Sequence, residues 1–271
     1  MDKFLAHEIE NLQRLKNITF FSYLTDVNGV VLAASDASAQ LSGRQTGEEL
    51  KGLCAATITD EQIHSLIPDL TAAELIAVKQ NFATLAKIMK IVVLEQVMIN
   101  YIDFNPYGGI RAAYLQAAIP IFGEDLTVVG IRVVSSVRPI SLFGKNEYFN
   151  HLSQNSNVIQ GNDKEHIKPK TNPRFTTRQL EIIYLLSNGF SQMEAAQILH
   201  ISRGALSNIL SYQIYHKFGI EGANHGLFME YAKSAGLQQT MPRSLYKPFI
   251  IILDDELVAR YFNNDLNNEQ S

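Results

Sequence analysis

Apolar residues recur along this chain with two periods, and the switches between them mark its elements. Phe4, Leu5, Ile9, Leu12 and Leu15 fall on one helical face, with Glu8, Glu10, Arg14 and Lys16 elsewhere, so residues 1–16 read as an amphipathic helix. Such a helix either caps the core of its own chain or pairs with a second chain, and the pattern fits both. Phe20, Phe21, Tyr23 and Leu24, the turn residues Asp26-Val27-Asn28-Gly29, and then Val30, Val31 and Leu32 read as strand, turn, strand. Short helices are expected around 36–42 and 47–51, and a longer one over 71–90 with Leu75, Ile76, Phe82, Leu85, Ile88 and Met89 as its apolar positions. Three strands follow, Val92–Phe104, Tyr114–Phe122 and Thr127–Val137, separated by Asn105–Gly109 and Gly123–Asp125; residues 91–99 fit a continued helix as well as a strand. Two strands, several helices and three strands give an antiparallel sheet with helices on one side, an α+β domain over residues 17–140.

The pattern then lapses. From Asn155 to Arg174 the chain is polar, carries Pro169 and Pro173 and shows no apolar period, so 141–173 reads as a linker. Beyond it the 3.6-residue period returns over 174–236 and predicts an all-α domain. A C-terminal extension, 237–271, contains the apolar run Phe249–Leu253, then Asp254-Asp255 and a loosely alternating stretch to Phe262. It is expected to form a hairpin, or a strand and a short helix, packed within the protein rather than on another subunit. The last residues, NNDLNNEQS, are expected to fray.

Composition narrows the classes. The chain has 271 residues with 46% hydrophobic and 18% charged side chains, the balance of a soluble globular protein, and no stretch approaches the apolar length of a membrane span. The single cysteine, Cys54, excludes an intramolecular disulfide, and the charged N-terminus does not resemble a secretory signal, so a cytoplasmic protein is expected. The 23 basic and 27 acidic residues argue at first against nucleic-acid binding. They are unevenly spread, however: residues 172–250 carry 7 basic and 4 acidic side chains, whereas residues 251–271 carry 1 and 5. A mildly basic segment therefore lies between two acidic ones. No Gly-rich phosphate loop, Gly-x-Ser-x-Gly elbow, His-Glu-x-x-His pair or kinase signature is present, and no catalytic or metal site is assigned.

The run FFSYLTDVNGVVLAASDASAQLSG followed by TGEELKG resembles the start of a PAS domain: strand, Asp-x-x-Gly turn, strand, short helix, then Glu-Glu-Leu-x-Gly. The resemblance implies an antiparallel sheet that holds a small ligand or cofactor against helices, or that only pairs with other PAS domains. It draws attention to Cys54, which lies near the reactive cysteine of flavin-binding members. Their Asn-Cys-Arg-Phe-Leu-Gln is here Leu53-Cys54-Ala55-Ala56-Thr57-Ile58, without the arginine that meets the flavin phosphate, so Cys54 is expected to be a small buried hydrophobe. His64 is the corresponding haem candidate, and its polar helix start, Thr59-Asp60-Glu61-Gln62-Ile63-His64, marks it as a surface residue. No cofactor is assigned; a small-molecule ligand of unknown identity is compatible with the domain.

The second domain carries the strongest signal. Thr176 or Thr177 can cap a helix bearing Leu180, Ile183, Tyr184, Leu185 and Leu186 and ending at Asn188-Gly189. Ser191 opens a second helix with Glu194 in a capping box, and Ser202 opens a third that bears Leu206, Ile209, Leu210, Ile214 and Phe218 and stops at Gly219. Short helices joined by a tight turn make a helix-turn-helix, about 192–211. The spacing resembles the LuxR-type family. Its Leu-Thr-x-Arg-Glu-x-Glu-Val-Leu is met at Thr176, Arg178 and Glu181, and its Gly-x-Ser-x-x-Glu-Ile-Ala-x-x-Leu-x-Ile-Ser at Gly189, Ser191, Glu194, Ala196, Leu199, Ile201 and Ser202. Two departures stand out. The family's Thr-Val-Lys-x-His is Ala205-Leu206-Ser207-Asn208-Ile209, and the stretch to Lys217-Phe218-Gly219 is one residue longer.

The third helix thus offers Arg203, Ser207, Asn208, Ser211 and Tyr212 to DNA, with one full positive charge. Arginine reads guanine and asparagine reads adenine bidentately, each pair adding roughly 1–3 kcal/mol of discrimination. Arg174, Arg178, Lys217 and Lys233 are candidates for backbone contacts, with Ser191, Gln192 and Ser202 at the helix starts. So few charges imply weak binding per subunit and a homodimer on double-stranded DNA. The resemblances together imply a transcriptional regulator, not an enzyme, whose PAS-like domain senses a ligand or partner, or dimerises. The alternative is an interaction adaptor whose degenerate helix-turn-helix pairs with another regulator.

Overall fold

The computed structural model describes residues 2–15, 20–138, 174–222, 224–238 and 241–262. The chain divides into two compact units, one formed by Met1–Arg138 with Pro248–Ser271, the other by Pro139–Lys247. The linker expected over 141–173 lies outside the described residues, as does the whole of the C-terminal NNDLNNEQS.

The first unit opens with helix α1 (Lys3–Arg14), capped by the Asp2 carboxylate, which accepts from the N–H groups of Phe4 and Leu5. Leu5 and Leu12 are buried on its inner face. Strands β1 (Phe21–Thr25) and β2 (Val31–Ala34) pair antiparallel across the expected turn. There Asp26 Oδ1 accepts from the N–H groups of Asn28 and Val30, each at 2.9 Å, and Gly29 supplies the φ of +81° that closes the loop. Helices α2 (Asp36–Leu41) and α3 (Asp60–Leu66) follow, separated by a 3-10 turn at Gly47–Leu50.

Helix α4 runs from Ala72 to Glu95 behind a Thr71/Glu74 capping box. It continues past residue 90 because Ile91 and Val92 are buried like Ile88 and Met89, and it ends where Gln96 turns left-handed at φ +56°. Strand β3 therefore occupies only Ile99–Asp103, a correction to the expected start at Val92. Strands β4 (Ala113–Phe122) and β5 (Val128–Arg138) form a long hairpin, and β5 returns to pair with β1.

Alternation along the strands sorts the two faces of the sheet. Tyr23, Tyr101, Ala118, Ile131 and Val133 join the core with α3 and α4, while Leu24, Ala33 and Ile121 pack with Leu12 and Ile9 of α1. The N-terminal helix thus caps the sheet of its own chain. Gly130 admits it: a Cβ there would lie 2.7 Å from both Leu5 Cδ1 and the Thr25 carbonyl oxygen.

The described residues of the second unit form helices and turns and no strand. Helix α5 (Thr177–Ser187) is buried on every side, from Gln179 to Ser187, so its expected single apolar face is a full central helix. Around it stand α6 (Gln192–Ile198), α7 (Arg203–Ile209), a π turn at Leu210–Ile214, three further helical residues at Tyr215–Lys217, and α8 (His225–Ser234). Tyr215, Phe218 and Phe228 form an aromatic core with centroids 5.7 and 6.0 Å apart.

Of the extension expected over 237–271, the part up to Lys247 belongs to the second unit, and the part from Pro248 belongs to the first. Strand β6 (Ile250–Ile252) pairs antiparallel with β3, completing a six-stranded sheet in the order β2-β1-β5-β4-β3-β6. Phe249 stacks on Phe104 at 4.5 Å, and helix α9 (Asp255–Tyr261) buries Leu257 in the α4 core. Arg260 and Tyr261 both hold Glu95 at the end of α4. The extension is thus a strand and a short helix packed within the protein, an edge cover that leaves β3 without a free ladder.

Candidate ligand cavity and nucleic-acid interface

Between the sheet and α4 of the first unit lies a cavity of about 150 Å³. Leu50, Leu53, Phe82, Leu85 and Met89 give it apolar walls, and Tyr23, Tyr107, Gln116 and Ser135 give it a polar one. That volume matches an apolar cavity that admits one benzene-sized ring. The polar wall is fixed from behind by Asp103, which is fully buried. Its carboxylate accepts from the Asn105 N–H and the Tyr107 hydroxyl, each at 2.8 Å, and from Gln116 Nε2 at 3.3 Å. Gln116 Oε1 in turn accepts from the Tyr101 hydroxyl at 2.9 Å, and Asn105 Oδ1 from Asn81 Nδ2 at 2.8 Å. Burial pushes the Asp103 carboxyl up to about 6, against the pull of the Asn105 N–H and the Tyr107 hydroxyl. Burial likewise raises Tyr101, so its hydroxyl stays protonated and donates.

Sequence reading missed this network. Its only signal is polar residues, Asp103 and Gln116, within strands that are otherwise apolar on their buried positions. Cys54 is half-buried and lines the cavity, with Sγ 3.6 Å from the Asn28 carbonyl oxygen, rather than fully enclosed as a small hydrophobe. His64 is exposed on α3, and among the described residues no cluster of three His, Cys, Asp or Glu side chains is placed to hold a metal ion.

In the second unit, capping residues set the helix-turn-helix. Thr176, Ser191 and Ser202 each accept from the backbone N–H three residues on, at 3.3, 3.2 and 3.1 Å. Gln179 and Glu194 return bonds to the N–H groups of Thr176 and Ser191. The hydroxyls of Ser191 and Ser202 are therefore engaged in holding the helices, and both residues are exposed at the helix starts with Gln192 half-buried beside them. Arg203, Asn208, Ser211 and Tyr212 are exposed and Ser207 is half-buried along the third helix. Asn208, Ser211 and Tyr212 lie on the side of the helix away from the buried Leu206 and Leu210.

Two expected phosphate contacts are otherwise occupied. Lys217 Nζ donates to the Arg174 carbonyl oxygen at 2.6 Å and to Gln179 Oε1 at 2.7 Å, and it sits 5.4 Å from the Phe175 ring centroid. Arg178 pairs with the largely buried Glu181 at 2.9 Å and reaches the Leu199 carbonyl oxygen at 3.4 Å. These two cations brace the unit. Gln179, buried at the start of α5, is the residue that sequence reading passed over: it also donates from Nε2 to Gln213 at 2.9 Å.

No helix among the described residues is long and apolar enough to cross a membrane. No protein-family model matches the chain, and no curated protein matches it in sequence. Solved structures do. The chain is similar to VqmA of Vibrio cholera in a complex with ligand and DNA, at 16% identity and a TM-score of 0.57 over 90% of this chain and 95% of that one. It is also similar to phage VqmA in a complex with DPO, at 14% identity and a TM-score of 0.54 over 92% and 97%. The shared fold is α+β, an antiparallel sheet with helices followed by an all-α unit that carries the helix-turn-helix.

Proposed function

We propose that this chain is a ligand-responsive, DNA-binding transcriptional regulator that works as a homodimer. The observation that carries the reading is the exposure of Arg203, Asn208, Ser211 and Tyr212, with Ser207 half-buried among them, on the third helix of a helix-turn-helix whose caps are all in place. Its N-terminal residues are the ones this motif presents to base edges, and two subunits reading two half-sites offset the low charge of each. Similarity of fold to a DNA-bound VqmA supports the same reading.

The sensing site is the cavity in the first unit. Its size suits a ligand of about one ring, and its polar wall of Tyr107 and Gln116 offers hydrogen-bonding groups to a small ring compound that carries polar atoms. The phage VqmA structure is a complex with DPO, which supports a ligand for this chain as well. The route outward runs along the sheet: Asp103 holds Tyr107 and Gln116, its strand partner is Ile250, and the second unit ends at Lys247. Ligand binding that stiffens this wall therefore acts on a strand three residues from the DNA-binding unit. By favouring one arrangement of the chain over another it shifts the population that matches two half-sites.

Selection of the full-length protein against random duplex DNA tests the function. Enrichment of a two-part site with related half-sites is expected; recovery of no enriched sequence at low salt removes the regulator reading and leaves an interaction adaptor. Mass spectrometry of small molecules released from the purified protein tests the sensing site, with a single-ring compound as the expected result.

A further inference from the structure

The third helix of the helix-turn-helix is not a regular α-helix. At Leu210–Ile214 it opens into a π turn, closed by the Tyr215 N–H donating to the Leu210 carbonyl oxygen, five residues back. The stretch that is one residue longer than the LuxR-type spacing thus contains a turn that takes up one residue more.

The geometry explains what the turn does. Each α-helical residue rotates its side chain by about 100°, so four residues overshoot a full turn by about 40°. Leu206, Leu210 and Ile214 are spaced by four and all three are buried. A regular helix would carry Ile214 about 80° off the bearing of Leu206. The wide turn cancels the second overshoot, returns Ile214 and Tyr215 to the core, and brings Tyr212 into line behind Asn208 on the opposite side. Ser211, Tyr212 and Gln213 are exposed in succession, and Tyr212 is 78% exposed. The turn is held in place from within the unit, since Gln213 accepts from Gln179, which also accepts from Lys217 just beyond it.

We propose that this π turn makes Tyr212 a specificity-determining residue, whose ring packs against the C5-methyl of a thymine in the major groove, one helical turn beyond the base read by Asn208. A large side chain so exposed makes no stabilising use of its ring inside the unit, and its position follows that of Asn208 one turn further along the helix. Apolar contact with the thymine methyl is a direct readout that needs no charge, which suits a helix with one cation. The inference rests on the DNA-binding reading above.

Binding selections with the full chain and its Tyr212→Ala and Tyr212→Phe variants, followed by titrations on the selected site with thymine or uracil at the position in question, test it. Because Tyr212 is exposed, both variants keep the fold. Tyr212→Ala is expected to lose the preference for one A·T pair in each half-site, with about tenfold weaker binding. Its other positions and its salt slope stay as in the parent. Tyr212→Phe retains the preference, and uracil in place of thymine weakens the parent but not Tyr212→Ala. An alanine variant that selects the parent's site with the parent's affinity overturns the proposal while leaving DNA binding intact. Loss of preference in Tyr212→Phe equal to that in Tyr212→Ala overturns it too, since the hydroxyl and not the ring would then be read. A parent protein that enriches no sequence removes the DNA-binding reading itself.

Discussion

Lys217 Nζ donates to Gln179 Oε1 at 2.7 Å, tying the end of the third helix to the start of the first across the second unit. A residue placed where a LuxR-type domain keeps its terminal lysine is therefore a brace. Lys217→Met is expected to lower the stability of the second unit by about 1–3 kcal/mol, the range for hydrogen bonds to a charged group with a buried partner left short of a donor. The slope of log affinity against log salt is expected to stay unchanged. A slope shallower by about 1.8 in the variant, the contribution of one phosphate contact from each subunit of a dimer, would return Lys217 to the DNA interface.

Asp103 makes the stability of the first unit depend on pH. Its folded carboxyl titrates near 6, above the ordinary value of 3.8, so between those two values the folded state holds a proton that the unfolded chain has released. Its contribution is complete below the unfolded value and is lost as pH rises through the folded one, a total of about 3 kcal/mol as an upper bound. Asp103→Asn is expected to flatten the melting temperature between pH 4 and pH 7, read by thermal melts of both proteins across that window. A variant whose pH profile overlays that of the parent would show that Asp103 does not govern it.

The strand and helix at the C-terminal end are structural parts of the first unit. Leu257 is 7% exposed within the α4 core, so Leu257→Ala is expected to cost about 2–5 kcal/mol. Ending the chain at Lys247 removes the same contact together with β6, and so exposes the edge of β3. That truncated chain is expected to melt earlier and to self-associate. Chemical denaturation with light scattering checks both; an unchanged melt on truncation would mean that β6 adds nothing to the sheet.

Filling the cavity is expected to block the ligand without unfolding the domain. Ala55 is half-buried on the cavity lining, and Ala55→Phe takes up much of a space of about 150 Å³. The purified variant is expected to release none of the small molecule found with the parent while still binding duplex DNA. Equal release from both proteins would place the ligand elsewhere.

Much of the architecture was legible because it depends on neighbours along the chain. The Asp26–Gly29 turn, the cap residues Thr176, Ser191 and Ser202, and the helical stripe of α1 are local devices, and each forms where its residues stand. The order of two strands, helices and three strands followed from the same local periods. The exposure of Arg203, Asn208, Ser211 and Tyr212 was likewise legible, since the apolar positions Leu206, Leu210 and Ile214 mark the buried side of the stretch.

What the tertiary structure decided are relationships between distant residues that no local period encodes. Nothing in the run Phe249–Leu253 says that it joins β3, because an apolar strand fits any free edge and only the fold leaves that one open. Helix α4 outran its expected end because burial of Ile91 and Val92 outweighs their preference for strand. The charge of Lys217 pointed to DNA until its partners appeared 38 and 43 residues away, and the extra residue in the third helix was a count until the core showed where it had to be absorbed. The sequence by itself determined the elements and their caps. The three-dimensional core decided which charges have partners, how the helix was wound, and which wall of the sheet faces the cavity.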